Sequence, residues 1–226
     1  MIKRRRSRAR TAPEPEDTRT RILDAAERLF SERGIDAVSV RAILEAAGVN
    51  VALAHYHFGS RGGLVAELLR TRVGPLVEEQ LRRVEEADAR GDAASLEDVL
   101  RAYFLPAARW LTERPGSARL FGQLHTSPSP ELRALGEEVM RPVLLRLGAA
   151  IGARLPPYLA PEQRFLRIWL AVLGPWQLAS GWERVLDSAR RRVGPDVRFD
   201  PAKLAEELVA FTAAGLRTAA GAQWGK

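Results

Sequence analysis

Apolar residues along this chain recur at three- and four-residue intervals, the repeat of a helix with one buried face. Ile22, Ala25, Ala26, Leu29 and Phe30 line the first such face, which Thr18 or Thr20 opens and Gly34 ends. Val40, Ile43, Leu44 and Ala47 line the second, with Arg41 and Glu45 on its polar side. Ser39 stands where that helix needs an amino-terminal cap, and Gly48 where its backbone must turn away. A short third segment, 51–57, follows with Asn50 as its cap, and it ends in His55, Tyr56 and His57 before Phe58. Leu64, Val65, Leu68 and Leu69 mark a fourth helix over 62–73, stopped by Gly74-Pro75.

The rest of the chain repeats the pattern. Segment 76–89 carries paired glutamates and arginines on a solvated face with i,i+4 partners. Ser95 to Asp98 reads as a capping box with Asp in place of Glu, opening a helix through Tyr103, Phe104, Leu105 and Trp110 that Pro106 should kink. A short helix over 117–125 follows Pro115-Gly116. Pro128 and Pro130 then lead into 131–155, where Pro142 is either a kink or the true start. Two long helices remain, 161–192 bent at Gly174-Pro175 and 201–220 opened by Asp200 and Pro201. Leu204, Leu208, Phe211, Ala214 and Leu216 are the expected buried stripe of the last. No alternating pattern of strand length occurs, so the expected fold class is all-α.

Charge narrows the partners. The formal charge is +7 and the sequence pI about 10.6, which favours an anionic partner such as DNA. Residues 3–10 hold six basic side chains and no acid. They read either as a solvated tail or as an arm that follows phosphates or enters a minor groove. With no cysteine there is no disulfide, thiolate metal site or cysteine nucleophile, in keeping with a reducing cytoplasm. His55 and His57 are two residues apart and diverge on a helix, which argues against a zinc pair. No nucleophile elbow, phosphate loop or dinucleotide glycine loop is present, so neither an enzyme nor a cofactor is expected. The longest uncharged run, 168–182, is too short to span a bilayer and no apolar leader opens the chain, so no membrane partner is expected.

Two short helices joined by a glycine turn over 39–61 describe a helix-turn-helix. A seven-residue second helix is roughly 10 Å long, which suits a major groove about 12 Å wide. The block from Thr20 to Leu64, with ILDAAERLFSERG, SVRAILEAAGVN and HYHFGSRGGL in order, resembles the DNA-binding domain of TetR-family transcriptional regulators. The resemblance covers about the first third of the chain, and the remainder compares by layout alone.

The resemblance implies a division into a basic arm and linker (1–17), a helix-turn-helix domain (18–61) and a helical ligand-binding and dimerisation domain (62–226). It implies that Arg41 points into the groove and that Tyr56 and His57 clamp phosphate. Ala54 would be buried under the first helix. Val51 and Leu53 stand where relatives are often polar, so contact with thymine methyls replaces hydrogen bonds there. Asn50 and His55 complete the DNA-facing set with Arg61, which replaces the family's usual Lys beside a helix amino terminus that favours phosphate.

In the second domain, Tyr103, Trp110, Phe121, Gln123, His125, Trp169, Trp176, Gln177 and Trp182 can wall an apolar ligand cleft or an ordinary core. Ala205, Ala210, Ala213, Ala214 and Gly215 permit close helix approach, across a dimer axis or within one chain. The expected function is a cytoplasmic, homodimeric repressor on a palindromic operator, released by a small hydrophobic or aromatic effector. The effector would act by displacing the fourth helix. The alternative is a sequence-tolerant DNA-binding or architectural protein without a ligand switch.

Overall fold

The computed structural model describes residues 15–50 and 58–218, apart from the side chains of 15, 16, 125, 126, 173–177, 179 and 180. Among the described residues, all regular structure is helical. The elements are α1 (Pro15–Arg33), α2 (Val40–Ala47), α3 (Arg61–Arg72), α4 (Gly74–Asp88) and α5 (Leu96–Glu113). After these come α6 (Pro115–Thr126), α7 (Pro130–Arg154), α8 (Pro161–Arg192) and α9 (Pro201–Arg217). A 3-10 turn, Gly91–Ala93, joins α4 to α5.

The stripes expected on α1 to α3 are buried. Ile22, Ala26 and Phe30 of α1 meet the core with Ile43 and Leu44 of α2 and Leu64 and Leu68 of α3. Each such large aliphatic or aromatic side chain contributes about 1.5–3 kcal/mol on burial. Exposed i,i+4 pairs such as Arg82–Glu86 (2.6 Å) contribute about 0.3–0.5 kcal/mol. Packing therefore dominates the stability.

Gly74-Pro75 does not loosen the chain. Val73 alone separates α3 from α4, and it is fully buried with its N–H on the Leu69 carbonyl (2.8 Å). The buried residues run in one cluster from Ile22 to Leu216, so the helix-turn-helix region and the carboxy-terminal helices share a core.

Capping chemistry places several ends where the side chains dictate. Ser95 accepts from the Asp98 N–H (3.1 Å) and Asp98 accepts in return from the Ser95 N–H (3.0 Å). Asp200 accepts from the Lys203 N–H (3.0 Å) at the start of α9. Other ends differ from expectation. α1 begins at Pro15, and Thr18 is a buried residue within it rather than its cap. As the sequence predicts, α5 runs through Pro106 and α8 through Gly174-Pro175. Ser129 caps α7 (3.4 Å to the Leu132 N–H), which makes Pro142 an interior residue.

The buried face of α9 requires a correction. Ala205, Val209, Ala213 and Leu216 are buried, whereas Ala214 is exposed and Phe211 is 84% exposed. Leu216 of the expected stripe is buried and Leu204 and Leu208 are half-buried against the core, so periodicity misplaced only Phe211 and Ala214. The small residues allow α9 to pack closely on α5. Arg101 then forks onto Glu206 (2.6 and 2.9 Å), and Arg217 pairs with Glu97, tying the two helices together. Replacing Ala205 by Leu forces a branched side chain into this contact. Urea unfolding should show a loss of about 1–3 kcal/mol; an unchanged midpoint would contradict the packing described.

Candidate nucleic-acid interface

The turn after α2 is built from both sides. Ser39, in extended conformation, accepts from the Ala42 N–H (3.2 Å) and starts α2. At the other end Gly48 adopts φ 64° and ψ 37°, a left-handed conformation that costs other residues about 1–2 kcal/mol. Gly48 N–H then bonds the Glu45 carbonyl (3.1 Å) and Val49 N–H the Leu44 carbonyl (3.0 Å). Arg21 of α1 donates to the carbonyls of Ala47 (2.5 Å) and Gly48 (3.4 Å), which otherwise lack helical partners. α1 thereby sets the direction in which the chain leaves for residue 51.

Val51, Leu53, His55, Tyr56 and His57, with Ala54, lie outside the described residues. Their flanks are well fixed. Asn50 is exposed just before the segment. Just after it, the Phe58 ring lies under the Arg19 guanidinium (5.7 Å). Ser60 caps α3 through the Gly63 N–H (3.0 Å). A Cβ on Gly63 would fall 2.1 Å from the Phe58 carbonyl oxygen, so only glycine lets α3 start so close to the end of the segment.

The arginines around this frame divide by what they hold. Arg41 is on the surface and pairs with Glu45 (2.9 Å) on the same helix, a contact weak enough to exchange for a nucleic-acid partner. Arg61 is turned inward. Its guanidinium donates to the Ile35 carbonyl and its Nε is buried, so in this conformation it braces the α1–α2 loop rather than offering its charge to phosphate. The Ile35 carbonyl sits among buried side chains and accepts from the Val38 N–H only at 3.4 Å, and the amino end of α3 supplies a second donor. Arg19 pairs with Glu67 (2.7 Å), and Arg72 with Glu27 (2.8 Å) and Asp24.

A second fastening went unseen in the sequence. Glu27 of α1 also accepts from the Ser117 hydroxyl of α6. Farther along α6, Arg119 donates to the Ser31 carbonyl (3.2 Å); beyond its end, the Ser127 hydroxyl donates to Asp36 (3.2 Å). Both α3 and α6 therefore grip the helix-turn-helix frame. Arg21, Glu27, Ser117 and Ser127 are isolated polar residues beside apolar stripes, and nothing in their spacing distinguishes them from a solvated face.

In the carboxy-terminal helices, Tyr103 and Phe121 are fully buried and Trp110 nearly so, with Trp110 edge-on to Phe121 (6.4 Å between ring centres). Buried Gln80, overlooked in the sequence, donates through Nε2 to the Tyr103 carbonyl (2.9 Å). Its Oε1 and the Trp110 Nε1 are buried without a partner among the described residues. Trp169 does not join this group: it is 50% exposed on the outer side of α8. Trp182 packs on Phe199 (5.3 Å). The side chains of His125, Trp176 and Gln177 lie outside the described set.

Glu67 links α3 to α1 electrostatically. The Arg70 hydrogen bond, opposed by burial and assisted by Arg19, pulls its carboxyl from the usual 4.5 down to about 2. A depressed folded-state pKa stabilises the fold fully above the unfolded value, and the contribution is lost as pH falls toward the folded one. The stability difference between the native chain and Glu67→Gln should therefore shrink between about pH 4.5 and pH 2 in thermal melts. A difference constant across that window would contradict the pairing.

Comparisons with known proteins agree with this architecture. Residues 22–68 match the model for bacterial regulatory proteins of the tetR family, and residues 101–215, half the chain, match the tetracyclin repressor-like C-terminal domain. The HTH-type transcriptional repressor KstR2 of Rhodococcus jostii is 42% identical over 66 residues, 26% of this chain and 32% of that one. The HTH-type transcriptional regulator TtgR of Pseudomonas putida is 40% identical over 60 residues, 26% and 29% of the two chains. The chain thus matches about a third of the length of these curated relatives. The fold extends the likeness. The FadR regulator from Bacillus subtilis in complex with stearoyl-CoA superposes with a TM-score of 0.65 at 18% identity, covering 88% of this chain and 99% of that one. The ketosteroid regulator KstR2 of Mycobacterium tuberculosis gives 0.60 at 18% identity, covering 93% and 100%. With a helix-turn-helix frame at one end and the matching helical domain at the other, the chain belongs to the TetR family of transcriptional regulators.

Proposed function

We propose that this regulator is a cytoplasmic repressor that binds a palindromic operator as a homodimer and is released by a small hydrophobic or aromatic effector. The observation that carries the DNA half of this reading is the frame around residues 51–57. One end of that frame is fixed by Gly48 and Arg21, and the other by Phe58 and Gly63. Arg41 and Asn50 border it on the surface. Val51, Leu53 and His55 then face base edges, while Tyr56 and His57 hold phosphate.

A homodimer is supported by an apolar face that one chain leaves uncovered. Phe165, Leu166, Trp169 and Leu170 lie along one side of α8, and Phe211 projects from α9. Trp169, assigned from sequence to a pocket, fits this face better. Two chains joined there would carry two reading segments, as half-sites about 34–36 Å apart require.

The effector reading rests on the buried aromatics Tyr103, Trp110 and Phe121, with Gln80 Oε1 offering an acceptor and Trp110 Nε1 a donor. Such a set suits a mostly apolar molecule with one or two polar groups. The names of the similar structures, one with stearoyl-CoA and one a ketosteroid regulator, point the same way. The fastening of α1 by both α3 and α6 supports a transmission route wider than the single helix expected from sequence. A coupling of about 1–3 kcal/mol between effector and DNA is sufficient.

Selection of bound duplexes from a random pool, at fixed salt, tests the reading. The expected product is a palindrome with half-sites about one helical turn or somewhat more apart. A featureless pool with tight, salt-sensitive binding would overturn it in favour of a sequence-tolerant DNA-binding protein.

A further inference from the structure

Excess positive charge in the described helices gathers at one place, the end of α8. Residues 15–72 hold eight arginines and eight carboxylates, and residues 73–182 hold thirteen of each. Residues 183–199 hold five arginines against three carboxylates. Two of those carboxylates are already engaged, Glu183 with Arg119 of α6 and Asp187 with Arg190 (3.4 Å). All five arginines are exposed, and among the described residues Arg184, Arg191, Arg192 and Arg198 have no ion-pair partner. Arg184 and Arg192 flank a shallow groove over Gly181, Ser188 and Ala189, small residues that let an extended strand approach closely.

Packing brings this end of α8 back to the helix-turn-helix frame. α7 starts at that frame: Glu131 lies against the first turn of α3, where a Cβ on Gly62 would fall 2.6 Å from its carboxylate oxygen. α7 then runs away from it, until a Cβ on Gly148 or Gly152 would meet Ile168 of α8 (3.6 and 3.8 Å). α8 leads back, and Glu183 is joined through Arg119 to the Ser31 carbonyl of α1. At about 1.5 Å per residue, Glu131 and the α3 start lie roughly 26–32 Å from the Ile168 contact along α7. Arg190 to Arg192 lie roughly 33–36 Å from the same contact along α8. The arginines therefore reach as far as the amino end of α3, which borders the reading segment at Phe58. Trp182 packs on Phe199 (5.3 Å), so they stand on a segment that leaves this point and returns to it.

We propose that the end of α8 is a second DNA-binding surface, on which Arg184, Arg191, Arg192 and Arg198 hold backbone phosphates beside the bases read by residues 51–57. Guanidinium groups pair bidentately with phosphate, and every cation of residues 183–199 is an arginine. Counterion release on such contacts supplies affinity without sequence preference. The helix-turn-helix frame has less of this to give, because six of its eight arginines are engaged. Arg19, Arg41, Arg70 and Arg72 are in ion pairs, and Arg21 and Arg61 are on main-chain carbonyls. The surface rests on the operator-binding reading above and adds to it a contact made by the carboxy-terminal domain.

Three full-length proteins test it: the native chain, a triple variant with Arg191, Arg192 and Arg198 changed to Gln, and a control of equal charge. The control changes Arg82, Arg109 and Arg141, exposed arginines on other helices, to Gln. Affinity for the selected duplex is measured across a salt series, alongside hydroxyl-radical protection of its backbone. Each neutralised phosphate contributes about 0.9 to the slope of log affinity against log salt, so the triple variant should lose about 2–3 units of slope per chain. At physiological salt it should bind about tenfold more weakly or worse, and lose backbone protection beside the selected bases while keeping protection over them. The control should keep slope, affinity and protection. Unchanged values in the triple variant would overturn the proposal and leave the surface to an acidic protein. Equal losses in the control would also overturn it, in favour of net charge acting at a distance. Were the native chain to select no site, the operator reading would fail on its own. The same salt series on a random duplex would then still judge the α8 surface, by the same difference in slope.

Discussion

The carboxylate of Glu27 gathers three helices. It lies on α1, accepts from Arg72 of α3 at 2.8 Å and from Ser117 of α6, and is largely shielded from solvent. An exposed pair contributes about 0–1 kcal/mol, whereas losing one partner of a buried pair costs about 3–5 kcal/mol. Glu27 falls between these limits. Its position means that α1 cannot tilt without disturbing both helices that lead into the carboxy-terminal domain. α1 in turn fixes the turn before residue 51 through Arg21. The turn that leads to residue 51 is thus tied, through α1, to the packing of α6, whose Phe121 meets Trp110 in the carboxy-terminal core.

That connection gives a TetR-family regulator a physical path for a signal. In the proposed response, a molecule that repacks the Tyr103, Trp110 and Phe121 region would shift α5 and α6, and the contacts of α6 and Ser127 with Glu27, Ser31 and Asp36 would pass the shift on. α3 would carry it in parallel through Glu67 and Arg72. The proposed effector therefore needs no direct contact with the helix-turn-helix frame.

Much of this was legible in the sequence, for identifiable reasons. Helix existence followed from apolar repeats, and the ends at Ser39, Gly48, Ser95 and Asp200 followed from side chains that can satisfy orphan backbone groups only in one way. Proline marked some boundaries and not others. Pro106 and Pro142 lie inside helices, and Pro115 follows α5 so closely that a predicted break is a single residue, Arg114. On α9 Leu204, Leu208 and Leu216 were placed correctly, but Phe211 was misread because it and Val209 lie on different faces, and only packing against α5 selects one. Arg61 looked like a phosphate ligand from its place at a helix start, but the Ile35 carbonyl that captures it is remote in sequence. Long-range polar partners of this kind, Glu27 with Ser117 above all, leave no periodic trace.

The exposed apolar residues Phe165, Trp169 and Leu170 of α8 and Phe211 of α9 bear on the central proposal that two chains read one operator together. The most direct test is the sedimentation mass of the purified chain, alone and on a palindromic duplex, compared with a chain carrying Trp169→Glu and Phe211→Glu. The account predicts two chains in free solution and two on each palindrome, with the double variant monomeric and bound far more weakly. A native chain that is monomeric throughout, or a monomeric variant that holds the palindrome with full affinity, would contradict it.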